Sequence, residues 1–221
     1  MDMIEFKQKE HYGYEDLVAL VTFLRSERGC AWDHVQTHQS IRRNFLEEAY
    51  EVCEGLDLDD AAMMREELGD VLLQVVFHAD IERDRGRFTM DDVCDAICQK
   101  LVFRHPHLFG GEAQDWDEIK KREKGVRTKS MLLSGVAKSL PALIRAEKLR
   151  EKSGGEPAFP DAEQALAAFR SAESAEDAET ALGELLLAVV GEATDRELDS
   201  ETALQRACDR FIARVAETET T

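Results

Sequence analysis

Glu47-Glu48-Ala49-Tyr50-Glu51 and, after a short break, Glu66-Glu67-Leu68-Gly69-Asp70-Val71-Leu72-Leu73-Gln74-Val75-Val76-Phe77 decide how the rest of the chain is read. Around the first segment, Ile41, Phe45, Ala49, Val52, Cys53 and Leu56 recur at helical spacing. At about 100° per residue, Glu47, Glu48 and Glu51 leave that helix in one direction. The second segment, Arg65 to Ala79, leaves almost no polar face, which predicts a helix buried nearly all round. Glu67 and Asp70, three apart, project together from it. Buried carboxylates need something to neutralise them. Two helices that align four or five of them suit a hard divalent cation, Mg²⁺ or Mn²⁺. A solvated acidic face accounts for Glu47, Glu48 and Glu51 taken alone. The apolar helix that carries Glu67 and Asp70 turns the balance toward a metal site.

Outward from this pair, the pattern stays helical. Leu17, Leu20, Val21 and Leu24 mark a helix from Tyr14 to Glu27, with Gly29 at its end and a loop through Cys30-Ala31-Trp32-Asp33. Thr37 or Ser40 is the expected cap of the helix that carries Glu47. Leu58-Asp59-Asp60 breaks the chain before the next helix, Gly86 ends that one, and Thr89 caps a fourth that Pro106 closes. Asp115 begins a short helix, and Ser139-Leu140-Pro141 starts another that runs to Lys152. Almost nothing alternates with period two. The fold class is therefore all-α, and short connections favour an antiparallel bundle.

Ser153 to Pro160 is the clearest linker, and beyond it the sequence repeats itself. Leu68 to Val76 reappears as Leu182-Gly183-Glu184-Leu185-Leu186-Leu187-Ala188-Val189-Val190, and Val93 to Arg104 lines up with Ala203 to Arg214. This predicts two tandem units. The second is degenerate, because Ala181 stands in the place of Glu67 and Glu184 in that of Asp70. The expected boundaries are a catalytic helical unit at 1–130, a connecting helix and linker at 131–160, and the second unit at 161–221.

The 221 residues carry a formal net charge of −18, which disfavours general binding to nucleic acid or to an anionic membrane. Residues 151–221 hold −11 of it, whereas residues 117–150 carry ten Lys or Arg against four acids. A local basic patch in an acidic protein suits a small anionic ligand. Lys100 and Arg104, one turn apart, and a lysine of the 120–124 group are candidates to hold phosphate oxygens, and Trp116 to stack on a base. The start of the chain lacks the basic and apolar parts of a signal peptide, and no run reaches the length of a membrane span. The five cysteines, odd in number, are expected to be buried free thiols, with Cys94 and Cys98 a helical turn apart. A cytoplasmic protein is the expectation.

Glu47-Glu48-x-x-Glu51 followed by Glu67-x-x-Asp70 resembles the acidic motif of the MazG family of nucleoside triphosphate pyrophosphohydrolases. Four supporting stretches agree: Trp32-Asp33-x-x-Gln36-Thr37-His38, Leu68-Gly69-Asp70, Arg104-His105-Pro106-His107 and Trp116-x-x-Ile119-Lys120. The resemblance covers residues 15–150 and fades, in order, beyond them. Ala31 departs from the family's proline, and residues 154–161 lack the family's aromatic-ended pattern. The resemblance implies an all-α bundle that pairs as a homodimer, requires Mg²⁺ (or Mn²⁺), and splits a nucleoside triphosphate into monophosphate and pyrophosphate. Water would attack the α-phosphorus, with Glu48, Glu51, Glu67 and Asp70 as metal ligands. Glu47 would orient the water, accept its proton or contact a partner helix. Lys100, Arg104 and Lys120 would bind phosphates and Trp116 would cover the base.

Two other classes compete. A di-iron carboxylate oxidoreductase needs Glu-x-x-His pairs, and the chain contains none. A non-catalytic nucleotide sensor or scaffold would keep the fold without turnover; the complete acidic set of the first unit argues against it.

Overall fold

The structure, a computed structural model, describes residues 6–112, 128–155 and 159–219, and every regular element among them is a helix. The chain divides into two units, Met1–Gln114 and Asp115–Thr221. In the first, α1 (Tyr14–Arg25), the single turn α2 (Ala31–His34), α3 (Arg42–Asp57), α4 (Ala61–Asp84) and α5 (Met90–Arg104) follow in order, with a 3₁₀ turn at Pro106–Leu108. The expected loop at residues 30–33 is thus partly a helical turn.

Helix ends follow from side chains that satisfy free backbone N–H groups. Asp60 caps α4, accepting from Ala62 at 2.9 Å and Met63 at 3.1 Å. Thr89 and Asp92 form a reciprocal capping box on α5. The predicted caps of α3 behave differently. Thr37 and Ser40 bond each other's backbone N–H, at 2.9 and 3.3 Å, in a turn before the helix. Ile41 takes the cap position with no side-chain hydrogen bond, because its place in the core fixes where α3 enters.

The α3–α4 connection is tight. Asp59 adopts a left-handed φ of 53°, a conformation that Asp tolerates better than most residues. At Gly55 an added Cβ would lie 3.1 Å from the backbone nitrogen of Met64, so glycine lets the two helices approach as an antiparallel hairpin. Val21, Ile41, Val76, Phe77 and Ile81 form the core where α1, α3 and α4 meet, with Leu17, Val18, Leu73 and Met90 packed around it.

Burial of α4 nearly all round is corrected by the structure. Its second half is enclosed, from Gln74 to Glu82, but Leu68 is 50% exposed and Leu72 37%. Helices α1 and α3 cover only part of its circumference within the chain. The cysteines also differ from expectation: all five are free, but Cys53, Cys98 and Cys208 are exposed and none is fully buried.

The second unit contains α6 (Lys129–Ser134), α7 (Ala142–Ser153), α8 (Ala162–Ser171), α9 (Ala175–Asp195) and α10 (Ser200–Glu219). The helix expected to connect the units, α7, packs inside the second one. There α9 packs against α7, α8 and α10, as α4 packs against α1, α3 and α5 in the first unit. Val136, Ala146, Ala165, Ala188 and Val190 are its buried apolar residues among those described.

Candidate functional site

The α3–α4 hairpin is the local cause of the site. Its antiparallel register sets Glu48 of α3 against the first turns of α4, where Glu67 and Asp70 share a face. Ligand oxygens of Glu48, Glu67 and Asp70 all lie within 4.8 Å of one another, and all three side chains are half-buried. Glu51, one turn after Glu48, is exposed and hydrogen-bonds to both Glu48 and Glu67. The four residues expected to hold a cation are therefore together.

Their electrostatics are those of a site that lacks positive charge. Burial raises the Glu48 carboxyl above the ordinary glutamate range, and its hydrogen bond with Glu51 and the charges of Asp70, Glu51 and Glu67 push it further. Glu67 is raised by desolvation and by the charges of Glu51, Glu66 and Asp70. A hydrogen bond between two carboxyl groups requires a proton on one of them. A divalent cation can replace that proton and satisfy several oxygens at once.

Glu47 stands apart from this group. It accepts a hydrogen bond from Arg43 Nε at 2.7 Å on the exposed flank of α3. Lys100 and Arg104 are half-buried, one turn apart on α5. Trp116 and Lys120, with the short helix expected from Asp115, lie outside the described residues.

The sequence reading missed the polar groups that continue along α4. His38 bonds His78 through their Nδ1 atoms at 2.7 Å, and its other nitrogen contacts the buried Glu82, which also pairs with Arg85 and Arg87. On the α1 side, Arg25 and Asp80 form a buried ion pair, with Thr22 donating to Asp80 at 2.6 Å. The available signal was acidic residues, Asp80 and Glu82, set inside an otherwise apolar run. Gln74 is buried on α4 and its side-chain oxygen has no hydrogen-bond partner among the described residues.

Comparison with known proteins agrees with this architecture. Residues 36–109, which hold both acidic segments, match the model of the MazG nucleotide pyrophosphohydrolase domain. The nucleoside triphosphate pyrophosphohydrolase/pyrophosphatase MazG of Thermotoga maritima is 38% identical over 213 residues, 91% of this chain and 83% of that protein. The nucleoside triphosphate pyrophosphohydrolase of Escherichia coli K12 is 33% identical over 92% of this chain and 86% of its own length. A Mycolicibacterium smegmatis protein of the same name is 41% identical over 65% of this chain and 47% of its own. Similarity that extends through both units, together with the match over the acidic hairpin, shows that the chain belongs to the MazG family.

Proposed function

We propose that this chain hydrolyses nucleoside triphosphates to the monophosphate and pyrophosphate, with Mg²⁺, at a single site in its first unit. The observation that carries the reading is the convergence of Glu48, Glu67 and Asp70 within 4.8 Å, joined by Glu51. The donor set fits a hard cation, since it is all carboxylate and destabilised by its own charge. Glu48, Glu51, Glu67 and Asp70 would hold it, and when bound it would neutralise phosphate charge and lower the pKa of an attacking water.

The chain's own residues supply the rest. Of the roles open to Glu47, its place outside the cluster, paired with Arg43, favours contact with a partner helix. Lys100 and Arg104 hold phosphate oxygens; for Lys120 and Trp116 the roles at a phosphate and at the base are only those that the family resemblance implies. The second unit, with Ala181 and Glu184 at the places of Glu67 and Asp70, carries no site and serves as a packing partner. The protein works as a homodimer, an arrangement supported by the apolar side chains that α4 and α5 leave exposed. A nucleotide substrate, together with the absence of any membrane-crossing helix among the described residues, supports a cytoplasmic enzyme.

The test is pyrophosphate release from a panel of ribo- and deoxynucleoside triphosphates, with Mg²⁺ and with chelator, beside Glu67→Ala and Glu184→Gln. Chelator-sensitive release that Glu67→Ala loses and Glu184→Gln keeps is the expected result. Nucleotide binding without turnover would move the assignment to a sensor on the same fold.

A further inference from the structure

Gln74 lies four residues beyond Asp70 and seven beyond Glu67, so all three share one side of α4. The hairpin register can be read at three places. Gly55 lies against Met64, Glu48 beside Glu67 and Asp70, and Phe45 meets the His78 ring edge-on at 5.9 Å. Gln74 therefore sits at the level between Phe45 and Glu48, just inside the carboxylate cluster. It is only 9% exposed, and its side-chain oxygen has no partner among the described residues.

The bundle does not need a polar group at this point. In the aligned stretch of the second unit the same position is Ala188, 1% exposed, in a helix that packs as α4 does. That stretch has also lost Glu67, to Ala181. The polar side chain accompanies the carboxylates.

We propose that Gln74 is a positioning residue for the site, its side-chain oxygen accepting a hydrogen bond from a water in the hydration shell of the bound cation. Mg²⁺ takes six oxygens and gives up its waters reluctantly, so four carboxylates still leave places in its shell for water. Each retained water donates, so it needs an acceptor, and an amide oxygen serves without adding charge to a cluster already overloaded with it. Such outer-shell partners set where the ion and its waters sit, and their loss typically weakens metal affinity or activity by about 10- to 100-fold. The inference rests on the metal-dependent reading of the first unit.

The experiment measures Mn²⁺ binding to the full chain by calorimetry, the Mg²⁺ concentration that gives half-maximal pyrophosphate release, and the thermal midpoint without metal. The proteins are wild type, Glu67→Gln, Gln74→Met and Gln74→Ala, the last copying the residue of the second unit. The expected result is a metal-free midpoint no lower than wild type in Gln74→Met, with Mn²⁺ affinity weakened about tenfold or more and the Mg²⁺ requirement raised in parallel. Folded Gln74 variants that bind Mn²⁺ as wild type does overturn the proposal. So does failure of both variants to fold, which would make the side chain a structural requirement. If wild type and Glu67→Gln bind Mn²⁺ alike, the site reading itself falls and takes this inference with it.

Discussion

Arg25 on α1 and Asp80 on α4 face each other with side chains only 6% and 4% exposed, the most enclosed ion pair among the described residues. Thr22 and Arg83 also bond Asp80, and Arg25 reaches on to Asp84 at 3.0 Å. Removing Asp80 leaves the buried Arg25 guanidinium with only the half-exposed Asp84 at 3.0 Å, a cost of up to about 3–5 kcal/mol. Asp80→Asn is therefore expected to lower unfolding stability by that amount, whereas the double change Arg25→Met with Asp80→Leu costs far less. Urea unfolding followed by circular dichroism measures both. An ion pair of the second unit, Arg150 with Asp195, joins α7 to α9 at 2.6 Å, but Asp195 is 54% exposed. Asp195→Asn should cost no more than about 1 kcal/mol.

Glu67 gives a prediction of opposite sign. Its carboxyl is held above the ordinary range, so the folded state prefers the protonated form. For such a group, stability falls as pH rises from the unfolded value through the raised folded one, and the cost persists at neutral pH. Without metal, Glu67→Gln should melt at a higher temperature than wild type. With metal the order reverses. A cation at a hundred times its dissociation constant stabilises wild type by about 2.7 kcal/mol, and Glu67→Gln should gain little of this. Thermal scans across a Mg²⁺ titration, with chelator as the starting point, decide it. A Glu67→Gln protein that gains as much from Mg²⁺ as wild type removes Glu67 from the ligand set.

His78 sets a second pH dependence. Burial and the neighbouring His38 lower its proton affinity, with the Glu82 charge only partly offsetting them. A histidine lowered in the folded state contributes stability that is full above its unfolded pKa, about 6.5, and is lost as pH falls below it. Burial works to raise Glu82, but hydrogen bonds from His38 and Arg87 outweigh it and hold the carboxyl below the usual range. Its contribution is lost at still lower pH. Wild type should therefore lose stability relative to His78→Gln as pH falls below about 6.5, and parallel stability curves for the two proteins below that pH would contradict the assignment.

How much of this was legible depended on whether an interaction is local. The helices were readable because periodicity, caps and breakers act within a few residues; Asp60, Thr89 and Gly86 behave as their sequence positions indicate. The pairing of Glu48 with Glu67 and Asp70 was also readable, because a short turn forces the two helices together. The Arg25–Asp80 pair and the His38–His78–Glu82 chain were not, since each joins residues 40 or more positions apart and nothing local announces it. Ile41 displaced Thr37 and Ser40 as the start of α3 because core burial outweighed a cap. The apolar run of α4 was read as complete burial, but a run gives hydrophobicity and not the number of neighbours.

The exposed part of that run carries the last prediction. Leu68 and Leu72 on α4 and Ile97, Leu101, Val102 and Phe103 on α5 are 37% to 50% exposed. Contiguous apolar patches larger than a few hundred Å² are uncommon on monomers, and these side chains flank the segment that bears the acidic cluster. A second copy of the chain is the proposed occupant. The double variant Leu72→Glu with Leu101→Glu should sediment as a monomer while wild type sediments as a dimer. Both substituted positions lie outside the core of the first unit, so the helical circular dichroism signal should survive. If the dimer also completes the site, pyrophosphate release falls with dissociation and recovers as protein concentration is raised for a milder variant such as Leu101→Ala. Sedimentation of the double variant at the wild-type rate would assign this face to some other partner.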